Sequence, residues 1–189
     1  PAAGALVEVT WDGSVMESYP AQFGEVAAVR ILEDGFNDLC RLYREVLNDL
    51  WETDPALNED ITELGVDLSK TSLEASEQSA VAYAFGMDHG LMPIEGTYQE
   101  LVDQGYIDGE NLYWEDGCLF SIKETQDQDP VAFSLPCVGP GDEIPDYNGV
   151  RFDAEKWRGG TGAYSFTNCT AASVDGHWSV YTVGAEAIS

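Results

Sequence analysis

The sequence predicts a single α+β domain over residues 1–189, with N-terminal helices packed on one face of a C-terminal antiparallel sheet, arranged as a meander. Helix-like periodicity falls in a helical half at about 14–107, and short strand-like segments follow in a sheet half at about 111–186. A chain of 189 residues that is 44% hydrophobic and 11% aromatic can bury a real core. Helices first and strands afterwards are typical of the α+β class.

The helical half opens with a short strand and continues with a long helix. Alternating apolar residues over 5–11 indicate the strand, and Asp12-Gly13 indicates the turn that ends it. Apolar residues three and four apart predict a helix over roughly 22–51, and the acidic, aperiodic segment 52–70 is predicted to be a loop. The periodic positions are Val29, Leu32, Phe36, Leu39, Tyr43, Val46 and Leu50.

Two capping-box motifs indicate the starts of two further helices. In such a box, a hydroxyl accepts from the backbone N–H three residues later, and a carboxylate reaches back. The segment 71–74 predicts a helix to about Asp88, which His89-Gly90 ends. The segment 97–100 predicts a short helix through Asp103, which Gly105 closes.

The sheet half is predicted from glycine-containing turns between apolar segments. Asp116-Gly117 predicts a hairpin between 113–115 and 118–122. Further strands are predicted at 131–137, 150–157, 163–171 and 177–183. Short turns join the last three, which therefore form an antiparallel meander.

The charge balance restricts the class of partner. The chain has 35 acidic and 8 basic residues, a net charge of −27, which would repel nucleic acid and an anionic membrane surface. The charge either keeps the protein soluble or attracts cations or a basic partner. No apolar run of 18 residues is present, so no transmembrane segment is expected. Membrane anchoring is expected only through an N-terminal lipid signal that this sequence lacks.

The four cysteines leave two interpretations open. None lies in C-x-x-C spacing, which disfavours zinc. The first interpretation is one or two disulfides, with Cys137 and Cys169 the first choice because both fall in predicted strands. The alternative is a set of buried thiols that pack as small apolar side chains.

Two segments are candidate binding sites. The acidic loop 142–149 offers oxygen ligands suited to calcium, and its alternative is a solvated turn. The candidate calcium ligands are Asp142, Glu143, Asp146 and Asn148. A basic and aromatic strand could bind an acidic peptide or a glycan, or could pair with acids of the same chain. Its candidate ligand-binding residues are Arg151, Lys156, Trp157 and Arg158.

No catalytic residues are predicted. The sequence contains no G-x-S-x-G elbow, and the glycine cluster at 159–162 lacks the Lys-Ser/Thr of a phosphate loop. His89 and His177 could act as bases, but each lies at the end of a predicted element, where a structural role explains it. Carboxylate pairs cannot be selected among 35 acids without distances.

Four segments together resemble a known family. They are 80–90, 96–107, 156–164 and 175–189, and they are similar to lipoprotein-like extracellular domains of Gram-positive gut bacteria, and to segments that trail sensor-type membrane metallopeptidases. The resemblance covers roughly residues 72–189. It implies an extracytoplasmic location, secreted or lipid-anchored at the cell surface, and no enzymatic activity. The zinc motif H-E-x-x-H of such peptidases is absent from this sequence.

The expected function is a non-catalytic binding or sensing domain outside the cytoplasm, whose partner is a protein, a peptide or a glycan. One alternative is a secreted hydrolase that uses paired carboxylates. Another is an interaction module that calcium stabilises. No other cofactor is expected.

Overall fold

A computed structural model describes residues 6–17, 22–33, 38–125, 147–174, 177–178 and 181–189. Contacts within the chain divide it into two compact units, Pro1–Asn37 and Asp38–Ser189. Each unit is described by itself. The single domain over 1–189 stays a prediction.

The first unit is built from two antiparallel strand pairs. Strand β1 (Leu6–Trp11) pairs with β4 (Val26–Glu33), and β2 (Val15–Met16) pairs with β3 (Gln22–Phe23). The strand predicted at 5–11 and its turn are confirmed, and Gly13 adopts the left-handed φ of +85° that the turn requires.

The first part of the helix predicted over 22–51 is wrong. Val29 lies directly opposite Val9 in the β1–β4 ladder. The apolar spacing of three and four residues continues into this segment, but the segment forms a strand. It is extended because β1 supplies hydrogen bonds and an apolar neighbour across the ladder. The helix itself begins at Asp38.

The described residues of the second unit form three helices and a seven-stranded sheet. The helices are α1 (Asp38–Glu52), α2 (Ala75–Asp88) and α3 (Tyr98–Asp103), with a 3₁₀ turn at Pro55–Asn58. The strands are β5 (Glu63–Lys70), β6 (Pro93–Glu95), β7 (Gly117–Glu124), β8 (Tyr147–Gly159), β9 (Gly162–Val174), β10 (His177–Trp178) and β11 (Ala185–Ile188).

The sheet is mixed rather than wholly antiparallel. Its order is β10-β9-β8-β7-β5-β6, and β11 pairs with the β9 edge. Strand β5 runs parallel to both β6 and β7. The other pairs are antiparallel, so the predicted meander is confirmed for β8, β9 and β10. The α+β class is thus confirmed, and the simple antiparallel sheet is corrected.

The helices cover both faces of the sheet. Trp51 of α1 and Phe85 of α2 pack on Phe120 of β7, with ring centroids 5.6 and 5.1 Å from it. Its neighbour Leu119 points to the opposite face and joins a second cluster with Leu101 of α3. The prediction of helices on one face therefore holds for α1 and α2 but not for α3.

Three local predictions are corrected. The supposed loop 52–70 contains the 3₁₀ turn and β5, where Leu64, Val66 and Leu68 alternate toward the core. The first capping box forms at Glu74 and Glu77, three residues later than predicted, and the box at 97–100 is confirmed. The hairpin about 116–117 is wrong, because β7 pairs with β5 and β8 instead.

Three further predictions concern turns and the last strands. Gly90 and Gly105 have φ of +70° and +84° after their helices, as expected for glycines at helix ends. The strand predicted at 131–137 lies outside the described residues. Of the strand predicted at 177–183, the described part is β10 and a bridge from Thr182 to Thr170.

Candidate ligand groove at the carboxyl ends of the parallel strands

A groove of about 740 Å³ opens where the parallel strands β5 and β7 end. We call it the lysine groove, and it is formed by two short segments, 69–72 after β5 and 123–125 at the end of β7. Its lining residues are Ser69, Lys70, Thr71, Ser72, Lys123, Glu124 and Thr125. Ligands of sheets with parallel strands bind beyond the carboxyl ends of those strands, so this edge is the first place to look for a site.

Short-range hydrogen bonds shape the wall that follows β5. Asp67 Oδ1 accepts from the backbone N–H of Ser69 at 2.9 Å and from its hydroxyl at 2.6 Å. The Thr71 hydroxyl donates to the Leu68 carbonyl at 2.7 Å. Such side-chain turns end a strand because they offer the backbone other partners than the ladder. The chain therefore leaves the sheet at Lys70 and enters α2.

Glu124 connects the groove to the core. Its Oε1 accepts from the Tyr43 hydroxyl at 2.6 Å, and from the backbone N–H and the hydroxyl of Ser72 at 2.8 and 2.9 Å. Tyr43 lies on α1 and is fully buried. Burial and the Glu124 carboxylate raise the pKa of Tyr43 well above its usual value, so the phenol keeps the proton that it donates. These bonds fix Ser72 at the rim.

Lys70 and Lys123 are aligned with each other across the β5–β7 ladder. Both side chains are exposed. Within the described part of the chain, neither ammonium group has a hydrogen bond or an ion pair. Asp153 is the cross-strand neighbour of Lys123 on β8, but its Oδ1 accepts from the backbone N–H of Asn168 at 2.8 Å.

A second, acidic pocket of about 190 Å³ lies on the other side of β5. Asp67, Glu95 and Glu100 line it together with both polar and apolar residues. These are Val66, Leu68, Ser69, Gln78, Ala82, Gly96 and Thr97. Hydrogen bonds from Thr97 lower the pKa of Glu100. In the described residues, no group of three or more histidine, cysteine or acidic side chains could hold a metal ion.

The predicted ligand residue Lys156 is buried in the structure. Its side chain is 0% exposed, and its Nζ donates to the carbonyl oxygens of Trp51, Thr53 and Asp54 and to Asn58 Oδ1. Burial lowers its pKa. The ammonium group therefore caps the carboxyl end of α1, where orphan carbonyls and the helix dipole favour a cation.

The other predicted ligand residues also make contacts within the chain. Arg158 donates to the carbonyls of Leu57 at 3.4 Å, Glu59 at 3.0 Å and Glu115 at 2.8 Å. Trp157 packs edge-on against Tyr98, with centroids 5.1 Å apart. Arg151 is the exception: it is half-buried, and its Nε has no hydrogen-bond partner among the described residues. Lys156 and Arg158 thus make contacts within the chain, but their acceptors are backbone carbonyls and an amide oxygen rather than the acids that the alternative named.

The predicted calcium loop lies mostly outside the described residues. Asp142, Glu143 and Asp146 are not described, and Asn148 is exposed, its Oδ1 accepting from the Gly149 N–H at 2.9 Å. Calcium binding stays a prediction.

The described cysteines are buried and form no disulfide. Cys118 and Cys169 carry free thiols whose pKa burial raises to about 12, and Cys40 is also buried. Cys137 lies outside the described residues, so the structure does not support the predicted bond between Cys137 and Cys169.

His89 occupies a structural position. Its ring stacks on Trp51 with centroids 3.9 Å apart, and its Nε2 lies 2.8 Å from Asn48 Oδ1. Burial lowers its pKa. His177 begins β10 and is exposed.

Neither the groove lysines nor Ser72 were predicted as site residues. The one available signal was compositional, since Lys70 and Lys123 are two of only three lysines in the sequence. Their alignment depends on a parallel pairing that spacing along the chain does not reveal.

Comparison with known proteins adds no assignment, because no family model, curated protein or solved structure matches the chain. Within the part of the chain that the structure describes, the helices are too short or too polar to cross a membrane.

Proposed function

We propose that the chain is a non-catalytic binding or sensing domain that acts outside the cytoplasm and holds its ligand in the lysine groove. The observation that carries the proposal is the position of this groove, beyond the carboxyl ends of two parallel strands. Its volume of about 740 Å³ lies within the range of small-molecule sites, roughly 300–1,000 Å³.

The chemistry of the lining supports binding rather than catalysis. The described lining residues include no histidine or cysteine that could act as a base or a nucleophile. Their one carboxylate, Glu124, is held by Tyr43 and Ser72 through one oxygen. Such a carboxylate serves to position Ser72, and a positioned rim favours recognition because less freedom is lost when a ligand binds.

The location rests on composition and on the family resemblance. A net charge of −27 suits a chain that remains dispersed outside the cell, and the similar lipoprotein-like domains are extracellular. Fractionation of the native host, with detection of the endogenous protein, tests the location. Recovery in the cytosolic fraction alone would contradict it.

The binding proposal is tested by screening a fragment library of anionic, neutral and cationic compounds, with backbone amide shifts as the readout. Fragments are expected to shift the amides of Ser72 and Thr125. Ser72→Trp should abolish these shifts by filling the groove. Ser76→Trp, in the exposed first turn of α2, is the matched control and should retain them.

Two results would contradict the groove as the binding site. One is equal fragment binding to the unchanged protein, Ser72→Trp and Ser76→Trp, and the other is no binding to any of them. The alternative function, a secreted hydrolase with paired carboxylates, has a separate readout. Turnover on a panel of glycoside, ester and peptide substrates, lost on replacing a single acid or histidine, would replace the binding proposal.

A further inference from the structure

We infer that the lysine groove binds a small oxyanion, a phosphate, sulfate or carboxylate group, between the ammonium groups of Lys70 and Lys123. This inference rests on the binding function proposed above and adds the chemical class of the ligand. Three observations carry it: the alignment of the two lysines, their lack of partners among the described residues, and the polar groups on the side chains that line the groove with them.

The alignment of the lysines carries a cost that a bound anion would remove. Like charges directly opposite each other on neighbouring strands destabilise a sheet. The chain contains 35 acids and 8 bases, so acidic partners are abundant. Nevertheless, Lys70 and Lys123 have no ion pair within the described residues. An oxyanion between them would neutralise both groups at once.

Three other bases of the second unit, Arg44, Lys156 and Arg158, donate to partners elsewhere in the chain. Arg44 pairs with Asp88, its Nε donating at 2.8 Å to Oδ2. Lys156 and Arg158 donate to backbone carbonyls. Lys70 and Lys123 are therefore distinguished by offering exposed, uncommitted ammonium donors side by side.

The side chains that line the groove favour an anion as the ligand. The lining consists of serine, threonine, lysine and glutamate side chains, each of which carries a hydroxyl, ammonium or carboxylate group. Two ammonium groups supply six N–H donors, and charge-assisted hydrogen bonds to an oxyanion are stronger than neutral ones. Charge and hydrogen bonding at the two ammonium groups therefore favour an oxyanion as the ligand.

Two acids that neighbour Lys123, one in the groove lining and one across the β7–β8 ladder, have other hydrogen-bond partners. Glu124 accepts three hydrogen bonds through Oε1, from Tyr43 and Ser72. Asp153 accepts from the backbone of Asn168. Both carboxylates lower the positive potential of the groove, so we expect modest affinity that falls as salt screens the attraction.

The test titrates inorganic phosphate, sulfate and citrate separately into the full chain at low ionic strength, followed by backbone amide shifts and calorimetry. We expect binding that shifts the amides of Lys70, Ser72 and Thr125. Lys70→Gln and Lys123→Gln should each raise Kd about tenfold or more, since each removes a charge-assisted bond. Lys70→Arg and Lys123→Arg should retain binding. Arg41→Gln, outside the groove lining, removes the same charge and should leave Kd unchanged within about twofold.

The outcomes separate this inference from the function on which it rests. Preference for phosphate or sulfate supports a tetrahedral anion, and preference for citrate supports a carboxylate ligand. If neutral or cationic fragments bind the groove and none of the anions does, the oxyanion inference fails and the binding function stands. If nothing binds there, both fail. Anion binding that survives both glutamine substitutions also overturns the inference.

Discussion

The three lysines differ in burial and in hydrogen bonding, with Lys156 on one side of the comparison and the groove pair, Lys70 and Lys123, on the other. Lys156 is fully buried and donates to three carbonyls and an amide oxygen. The other two lysines are exposed and aligned, without partners among the described residues. Burying a charge is costly unless hydrogen bonds or an opposite charge compensate it, as the four acceptors of Lys156 do. Because no described residue bonds to the ammonium groups of the exposed lysines, these groups can bind a ligand from outside the chain.

The largest effect that this comparison predicts is on Lys156. Lys156→Met keeps the volume of the side chain but leaves the part-buried carbonyls of 51, 53 and 54 without this donor. We expect the free energy of unfolding to fall by about 3 kcal/mol or more, measured by urea denaturation. Lys123→Met is the control. An equal loss in both variants would show that burial does not distinguish these lysines.

Arg158 should have the next largest effect. Its guanidinium donates to the carbonyls of Leu57, Glu59 and Glu115, but the side chain is only half-buried, so water can replace part of the lost contacts. We expect Arg158→Met to cost about 1–2 kcal/mol in the same assay. A cost above that of Lys156→Met would contradict the ranking by burial.

Tyr43 joins the two environments, because it is buried and its hydroxyl binds the groove residue Glu124. Tyr43→Phe should cost about 1 kcal/mol and weaken phosphate binding, since Glu124 would lose a donor and direct more negative charge toward the groove. Tyr181→Phe, which removes a similar bond to Asp49, is the control and should leave phosphate binding unchanged. Equal phosphate affinities in the unchanged protein, Tyr43→Phe and Tyr181→Phe would show that Tyr43 does not influence binding in the groove.

His89 is an intermediate case, half-buried and stacked on Trp51. Burial lowers its pKa, so the folded protein takes up the proton less readily than the unfolded chain. The stability from neutral His89 is therefore fully present above the unfolded value of about 6.5 and is lost as pH falls through the folded value. His89→Gln should flatten the decline in unfolding free energy between about pH 7 and pH 5. An unchanged decline would contradict this assignment.

The smallest effect on stability is expected at the exposed pair. Lys70→Gln or Lys123→Gln should change the free energy of unfolding by less than about 0.5 kcal/mol, because neither removes a described contact. A slight gain is expected from relief of repulsion. A loss above 1 kcal/mol, measured by urea denaturation, would show that the fold uses these charges after all.

The sequence predicted the features that depend on neighbours along the chain. The caps at Thr97, Gly90 and Gly105 were found because their signals lie within a few residues of each other. The turn between β8 and β9 was found for the same reason. Strand β5 was missed although Leu64, Val66 and Leu68 alternate, since the surrounding acids concealed a period that was available.

The site could not be predicted because its geometry is non-local. Lys70 and Lys123 meet only after β5 and β7 pair in parallel, with α2, β6 and α3 between them in sequence. The buried role of Lys156 depends on the backbone at 51–54, which it reaches across roughly a hundred positions of the chain. Residue type alone therefore ranked Lys156 as a ligand residue and passed over the two exposed lysines.

The hydrogen bonds from Lys156 to the backbone at 51–54 also affect when helix α1 is completed during synthesis and folding. Helix α1 leaves the ribosome well before β8, yet the carbonyls of Trp51, Thr53 and Asp54 at its end receive hydrogen bonds from Lys156, 105 residues after Trp51. A nascent chain that ends before β8 leaves those carbonyls to water, so the end of α1 is expected to fray until the sheet assembles. Because loop closure over such distances is slow, completion of the helix is expected to coincide with the final, cooperative folding step.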